Sequence, residues 1–281
     1  MYEKQWTASN PGCLILLVDQ STSMADPFPT LAGRGELKRK CDTLAQIVNE
    51  FLSEAIKRCE HNAVVVRRMD IAVLGYGARL GDALQGVTGI ASVNDVSAHR
   101  RIVKRTDTER DDETGAPYEI SVDQSVWLDP VANGNTPMYG IMSRAYLLAD
   151  AWAHSHQNSF PPVVLNVTDG EATDNDPRQA ARQLATISTS DGQTLLFNCH
   201  LGNGGEPEVA YPTALSDLRT SNKFAPVLFE MSSVLPENMR IQANAMTGKN
   251  IQPNARAMVY NGSMHSVLDM LTIASLPSQA M

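Results

Sequence analysis

The fold is decided by the stretch Cys13-Leu-Ile-Leu-Leu-Val18, which runs directly into Asp19-Gln-Ser-Thr-Ser23. A short, continuous apolar run after Pro11 and Gly12 predicts a β-strand that is buried on both faces. The polar residues that follow predict a loop at the carboxyl end of this strand. Strands of this kind are typical of parallel sheets that are covered by helices on both sides.

Similar apolar runs recur along the chain and alternate with helical patterns. The predicted strands that follow are 69–75, 162–167, 194–199 and 257–260, and the predicted helices are 37–59, 137–152, 176–187, 235–246 and 263–273. Residues 86–91 are predicted as a hairpin partner of the second strand, and residues 227–230 as a short strand. The alternation favours an α/β fold with a doubly wound, mostly parallel central sheet flanked by helices.

Length and composition indicate an ordinary globular chain. The sequence has 281 residues, 43% of them hydrophobic, and 23 basic against 31 acidic residues give a net charge of −8. An acidic protein lacks the basic face that general nucleic-acid binding needs. No apolar run approaches the ~18 residues of a membrane span, and the first residues lack the apolar segment of a signal peptide. We therefore expect a cytoplasmic protein with no nucleic-acid or membrane partner, whose four scattered cysteines are buried free thiols.

Residues 92–132 depart from the α/β pattern. They contain the charge-dense segment 99–113, followed by two short segments with partial alternation. This pattern predicts an insertion that contains one β-hairpin, with its turn near Gly115. Together with a long loop at 201–224 it accounts for the surplus length, so we expect one domain over 1–281 with its core at about 13–275.

Three polar clusters lie at equivalent places: residues 19–23 and 168–171 directly follow predicted strands, and residues 133–138 begin a helix. Because the carboxyl ends of parallel strands form one edge of the sheet, these clusters are expected to meet there. The candidate metal ligands are two carboxylates and three hydroxyls: Asp19, Ser21, Ser23, Thr136 and Asp169. A set of hard oxygen donors favours Mg²⁺, with Mn²⁺ or Ca²⁺ as alternatives. The residues alone also allow a turn rich in serine and threonine that binds no metal.

The three clusters resemble the motifs of von Willebrand factor A (VWA) domains. Asp19-Gln-Ser-Thr-Ser23 is similar to the D-x-S-x-S signature of the family's metal-ion-dependent adhesion site (MIDAS), Thr136-Pro137 to its Thr-Pro segment, and Thr168-Asp-Gly170 to its T-D-G segment. The order is that of the family, and the likeness extends over about 13–275. Thr22 and Asn135 stand where glycine is common, and neither is a ligand position. The resemblance implies a Rossmann-like VWA domain, as an intracellular, bacterial-type stand-alone member.

The resemblance also implies a non-enzymatic function. In the family, the bound metal ion coordinates an Asp or Glu of a partner protein, so we expect a protein-binding or scaffolding module. Intracellular members often work with AAA+ ATPases or with kinase and phosphatase systems, and the sequence chooses neither. Two alternatives stay open: a metal-assisted hydrolase that uses the same ion, and a structural adaptor that binds through the 92–132 insertion.

Overall fold

A computed structural model describes residues 1–29, 37–110, 114–202, 206–218, 220, 222–275 and 277, without the side chains of 107–110. The strands are, in chain order, β1 Gly12–Asp19, β2 Pro27–Pro29, β3 Leu37–Arg39, β4 Glu60–His61, β5 Val64–Val65, β6 Met69–Tyr76, β7 Leu80–Asp82, β8 Ala91–Ser92, β9 Arg101–Arg110, β10 Pro117–Val126, β11 Val163–Thr168, β12 Ser188–Thr189, β13 Gly192–Gln193, β14 Leu195–Leu201, β15 Val209–Ala210 and β16 Met258–Gly262. The helices are α1 Lys40–Arg58, α2 Val93–Ala98, α3 Met138–Ser155, α4 Pro177–Leu184, α5 Phe224–Met231, α6 Glu237–Thr247 and α7 Met264–Ala274. Short 3-10 helices lie at Thr22–Ala25 and Leu215–Leu218.

The central sheet has the strand order β15-β16-β14-β11-β1-β6-β7, and β8 also pairs with β6. The five strands from β16 to β6 pair in parallel, whereas β7, β8 and β15 pair antiparallel at the margins. The predicted α/β class with a mostly parallel sheet is therefore confirmed. β1 lies in the middle of the sheet, and all eight of its residues are buried.

Helices cover both faces of this sheet. Leu14, Leu16 and Val18 face one core together with α1, α2, α6 and α7. The alternate residues Ile15 and Leu17 face a second core together with α3, α4 and α5. Successive side chains of β1 thus enter opposite cores, which explains why its sequence is apolar at every position from Cys13 to Val18.

Two predictions about local structure are wrong. Residues 227–230 belong to α5, because a short apolar run fits a buried helix as well as a buried strand. The hairpin partner of β6 is β7, which begins at Leu80, and of the predicted segment 86–91 only Ala91 pairs with β6. The chain therefore turns back after Tyr76, ten residues before the predicted partner strand begins.

The charge-dense segment 99–113 and the alternating residues after it contain the predicted hairpin. β9 and β10 pair antiparallel along their whole length, from Arg101 opposite Val126 to Arg110 opposite Pro117. Gly115 has a φ of +67°, as a turn residue requires, while residues 111–113 lie outside the described part of the chain. The base of the hairpin is fixed to α1, because Asn49 accepts hydrogen bonds from the backbone N–H groups of Trp127 and Leu128 at 2.9 Å.

A line of hydrogen-bonded polar side chains crosses the second core. The Tyr76 hydroxyl donates to Asn166 Oδ1 at 2.7 Å, Asn166 Nδ2 donates to Asn198 Oδ1 at 3.1 Å, and Asn198 Nδ2 donates to the Ser232 hydroxyl at 3.0 Å. Asn166 and Asn198 are directly paired in the register of β11 and β14. Every link is buried, so each side chain depends on its partner for its hydrogen bond.

The four cysteines are buried and free, as predicted. Burial raises the pKa of each thiol above its ordinary value, which keeps the sulfur protonated and unreactive. Among the described helices, none is both long and apolar enough to cross a membrane.

Candidate metal centre

Asp19 is the last residue of β1 and begins the candidate site. Its Oδ1 accepts a hydrogen bond from the backbone N–H of Ser21 at 2.8 Å, and its Oδ2 accepts one from the Thr168 hydroxyl at 2.7 Å. Burial raises the pKa of Asp19 to about 6, against the opposing effect of the Ser21 hydrogen bonds, and the nearby Asp169 adds to the rise. The carboxylate is thus held in place by two donors but has no cation of its own among its described contacts.

Ser21, Ser23 and Asp169 form a continuous chain of contacts beside it. The hydroxyl oxygens of Ser21 and Ser23 lie 3.0 Å apart, and the Ser23 hydroxyl donates to Asp169 Oδ1 at 2.6 Å. Ser21 and Ser23 reach the same spot because the chain turns into a 3-10 helix directly after β1. The structure therefore brings four of the five predicted ligands into one hydrogen-bonded cluster.

Thr136, the fifth predicted ligand, enters the same edge from the loop before α3. Its backbone exchanges hydrogen bonds with Thr173, at 3.0 Å to the Thr173 hydroxyl and at 2.9 Å from the Thr173 N–H. The Thr136 hydroxyl faces Gly170, where a β-carbon would lie 3.8 Å from it. Thr136 is buried and lies next to the cluster, although no hydrogen bond joins its hydroxyl to the other predicted ligands.

The loops are fixed to one another by Thr22, a residue that the sequence marks only as a departure from the VWA pattern. The Thr22 hydroxyl donates to the Gly134 carbonyl and accepts from the Gly134 N–H, both at 3.1 Å. Gly134 has a φ of +91°, and a β-carbon there would meet the backbone of Ala78 at 2.3 Å. Thr22 and Gly134 together hold the first ligand loop against the loop that carries Thr136.

Lys40 is the residue that sequence reasoning missed. Its Nζ lies 2.9 Å from Asp169 Oδ2, and the two side chains are 1% and 0% exposed. The ammonium also lies 5.9 Å from the centre of the Phe28 ring, within the range of a cation–π interaction. One weak signal was present in the sequence, because a lysine in the first turn of a helix opposes the helix dipole and so suggests another partner.

Among the described residues, the buried charges at this edge do not balance. Asp19 and Asp169 have buried carboxylates, and the one buried ammonium described there, that of Lys40, contacts Asp169. His200 follows on the neighbouring strand, but burial lowers its pKa to about 4, so it is neutral at physiological pH. The cluster therefore carries an excess negative charge in a buried environment, which favours a bound cation.

The donor chemistry fits a hard divalent cation. The described residues contain no group of three or more His, Cys, Asp and Glu side chains that could hold a metal ion. A metal at this edge would instead depend on two carboxylates supplemented by serine and threonine hydroxyls, an all-oxygen set of the kind that Mg²⁺, Mn²⁺ and Ca²⁺ accept.

No protein-family model matches the chain, and no curated protein matches it. Among solved structures, it is similar to proximal thread matrix protein 1 of the mussel byssus, with 13% identity and a TM-score of 0.48 over 95% of this chain and 48% of that one. A second structure of that protein, with a zinc-occupied MIDAS motif, has 15% identity and a TM-score of 0.38 over 71% of this chain and 38% of that one.

The manganese-loaded TRAP protein of Plasmodium vivax is also similar, with 12% identity and a TM-score of 0.44 over 96% of this chain and 75% of that one. The chain thus spans about half the length of the mussel protein. Likenesses this distant assign neither a ligand nor a partner to the chain.

Proposed function

We propose that this edge of the sheet binds a divalent cation, preferably Mg²⁺, and that the protein is a metal-dependent protein-binding module without catalytic activity. The observation that carries the proposal is the cluster of Asp19, Ser21, Ser23 and Asp169 at the carboxyl ends of two adjacent strands, with Thr136 beside it. The resemblance of the three sequence motifs to the MIDAS of VWA domains supports the same function.

The residues of the cluster explain why such a site would bind an acidic side chain of another protein. Ser21, Ser23 and Thr136 offer neutral oxygens, so only two of the five predicted ligands can neutralise a cation. When bound, the ion would supply a positive charge and a coordination position for an outside carboxylate. The proposed partner is therefore a protein that presents an Asp or Glu side chain at this edge.

Because the protein has a net charge of −8, the sign of the charge at the cluster matters for partner binding. An acidic protein repels an acidic partner at long range. Recognition would then depend on the positive charge at the cluster, so removal of the ion should abolish binding and not only weaken it. Members of AAA+ ATPase or kinase and phosphatase systems remain the partner classes that the family resemblance suggests.

Metal binding is tested by titrating chelator-treated protein with Mg²⁺ and Mn²⁺ in a calorimeter. We expect saturable binding in the wild type and its loss in Asp169→Ala. Glu171→Ala is the matched control, because it removes an exposed carboxylate two residues away without touching the cluster. Equal titrations of the wild type and Asp169→Ala would contradict the assigned site.

Partner binding is tested by capture from an extract of the native host, with Mg²⁺ or with EDTA. A specific partner that the wild type retains in Mg²⁺, and that Asp19→Ala or the chelator releases, supports the proposal. Binding that persists in EDTA would rule out the metal-dependent mechanism. Binding that persists in Asp19→Ala but fails when the β9–β10 hairpin is altered would favour the structural adaptor, and saturable phosphoester turnover lost in Asp19→Ala would favour the hydrolase.

A further inference from the structure

The ammonium of Lys40 lies inside the candidate metal centre, not at its margin. It contacts Asp169 Oδ2, while Ser23 donates to the other oxygen of the same carboxylate. Both oxygens of Asp169 are thus engaged by groups of the chain itself. Asp169 is also the only residue that joins the serine hydroxyls to a cation among the described contacts.

This ammonium is costly to place there. A lysine side chain that is 1% exposed has lost almost all of its hydration, and its contact with the Asp169 carboxylate compensates part of this loss. Its position is also constrained from the backbone, since the Lys40 N–H donates to the Asp26 carbonyl at 3.1 Å, directly after the loop that carries Ser21 and Ser23. The lysine is therefore built into the same loop-to-helix unit as the two serines.

A divalent cation and this ammonium would compete for one carboxylate. With Lys40 in place, Asp169 is already neutralised, so Asp19 has the remaining negative charge among the described buried groups of the cluster. An ion held by Ser21, Ser23 and Asp169 would also lie close to a like charge in a buried environment, where repulsion is strong. Occupation by metal and the Lys40–Asp169 contact thus oppose each other.

We propose that Lys40 is a built-in competitor for the metal: it holds Asp169 in the metal-free protein and must release this carboxylate when a divalent cation binds. The inference rests on the proposed metal-dependent function and adds a regulatory element to it. The site would then have two states, one closed by the chain's own cation and one held by the metal. Any partner that draws Lys40 away from Asp169 would strengthen metal binding, and the metal would strengthen the binding of that partner by the same factor.

The test compares the affinity for Mn²⁺ and Mg²⁺ in the wild type, Lys40→Met and Lys40→Gln by calorimetry, with metal-dependent shifts in the melting temperature as a second readout. Without the ammonium, we expect the dissociation constant to fall at least about tenfold and the melting temperature to rise more on addition of metal than in the wild type. Lys40→Gln retains a donor for Asp169 and covers the case in which Lys40→Met does not fold.

Arg67→Met is the matched control, because it removes a cation from a buried carboxylate at the opposite edge of the sheet. Its metal affinity should equal that of the wild type. If the wild type and both Lys40 variants bind the metal with equal affinity, the competitor role of Lys40 is wrong and the proposed function stands. If none of them binds metal, both proposals are overturned.

Discussion

Asp70 lies near the amino end of β6, whereas Asp19 and Asp169 lie at the carboxyl ends of β1 and β11, and all three side chains are buried. Asp70 is fully paired: Arg67 donates to its two oxygens at 2.8 and 2.6 Å, and the Trp152 indole N–H donates to Oδ2 at 2.8 Å. Among the described residues, the carboxyl edge instead has two buried carboxylates and one buried ammonium. The buried charge of Asp70 is neutralised by Arg67, whereas the described buried groups of the carboxyl edge carry one more negative than positive charge.

This difference separates a structural carboxylate from a candidate ligand. At the amino edge the neutralising Arg67 is 50% exposed, and its guanidinium contacts both oxygens of Asp70. At the carboxyl edge Lys40 approaches Asp169 from within the protein, and the hydroxyls of Ser21 and Ser23 offer further oxygens. Both edges bury an aspartate side chain. What distinguishes the structural Asp70 from the candidate ligand Asp169 is the set of groups that contact each carboxylate.

The largest effect is expected from Lys40→Met in the presence of a chelator. Removal of one partner from a buried ion pair leaves Asp169 uncompensated, so the free energy of unfolding should fall by about 3–5 kcal/mol. Urea denaturation with EDTA measures the loss. Saturating Mn²⁺ should restore a large part of it, and an equal loss with and without metal would contradict the idea that a cation can replace the lysine.

The second-largest effect is expected at His200, whose neutral ring adds no positive charge to the carboxyl edge. Its pKa is about 4 in the fold against an ordinary value of 6.5, so the unfolded chain binds the extra proton between these values. The stability due to neutral His200 is therefore fully present above pH 6.5 and lost as the pH falls towards 4, by about 3 kcal/mol in total.

His200→Gln isolates this contribution, since the raised pKa of Asp19 acts in the opposite sense over much of the same pH range. The difference in unfolding free energy between the wild type and the variant should decline from pH 7 to pH 4 in a series of urea titrations with EDTA. A difference that stays constant over this range would show that His200 binds a proton as readily in the fold as in the unfolded chain.

A smaller effect is expected when the balanced edge is disturbed. Arg67→Met should lower the free energy of unfolding by about 1–2 kcal/mol, because Arg67 is half exposed and Trp152 still donates to Asp70. Urea denaturation at pH 7 gives this value. The stabilisation by Mn²⁺ should match that of the wild type, and a change in it would mean that the two edges are coupled.

The smallest effect is expected at Thr22, which positions the ligand loop without belonging to the ligand set. Thr22→Val keeps the shape of the side chain but loses the two side-chain hydrogen bonds to Gly134, at a cost of about 0.5–1 kcal/mol, while the backbone N–H of residue 22 still donates to the Gly134 carbonyl. The affinity for Mn²⁺, measured by calorimetry, should fall only a few-fold. A complete loss of metal binding would mean that the side-chain hydrogen bonds between Thr22 and Gly134 are required for the site to form.

The sequence was sufficient to predict the layers of the fold and the place of the site. Continuous apolar runs such as 13–18 indicate strands buried on both faces, and the polar residues after them mark one edge of a parallel sheet. The prediction of a strand at 227–230 is wrong, because a run of only three apolar residues has no period that separates a strand from a helix.

Lys40 and Thr22 could not be predicted for a different reason. A lysine next to Lys38 and Arg39 looks like part of an exposed basic segment, and only the folded structure shows that Lys40, the first residue of α1, contacts Asp169. Thr22 contacts a residue 112 positions away in the chain. Contacts between distant segments depend on how the loops pack, which the local pattern of a single sequence does not contain.

The hydrogen bond between Asn166 and Asn198 has a consequence for how the chain reaches this fold. β11 and β14 are apolar on both faces, so a shift of one residue between them would exchange one buried side chain for another at little hydrophobic cost. The two asparagines meet only in the native alignment, and any slip would break the hydrogen bond between these two buried amides. The pair therefore favours the native register of β11 and β14, and with it the position of Thr168 and of the ligand candidate Asp169 that follows it.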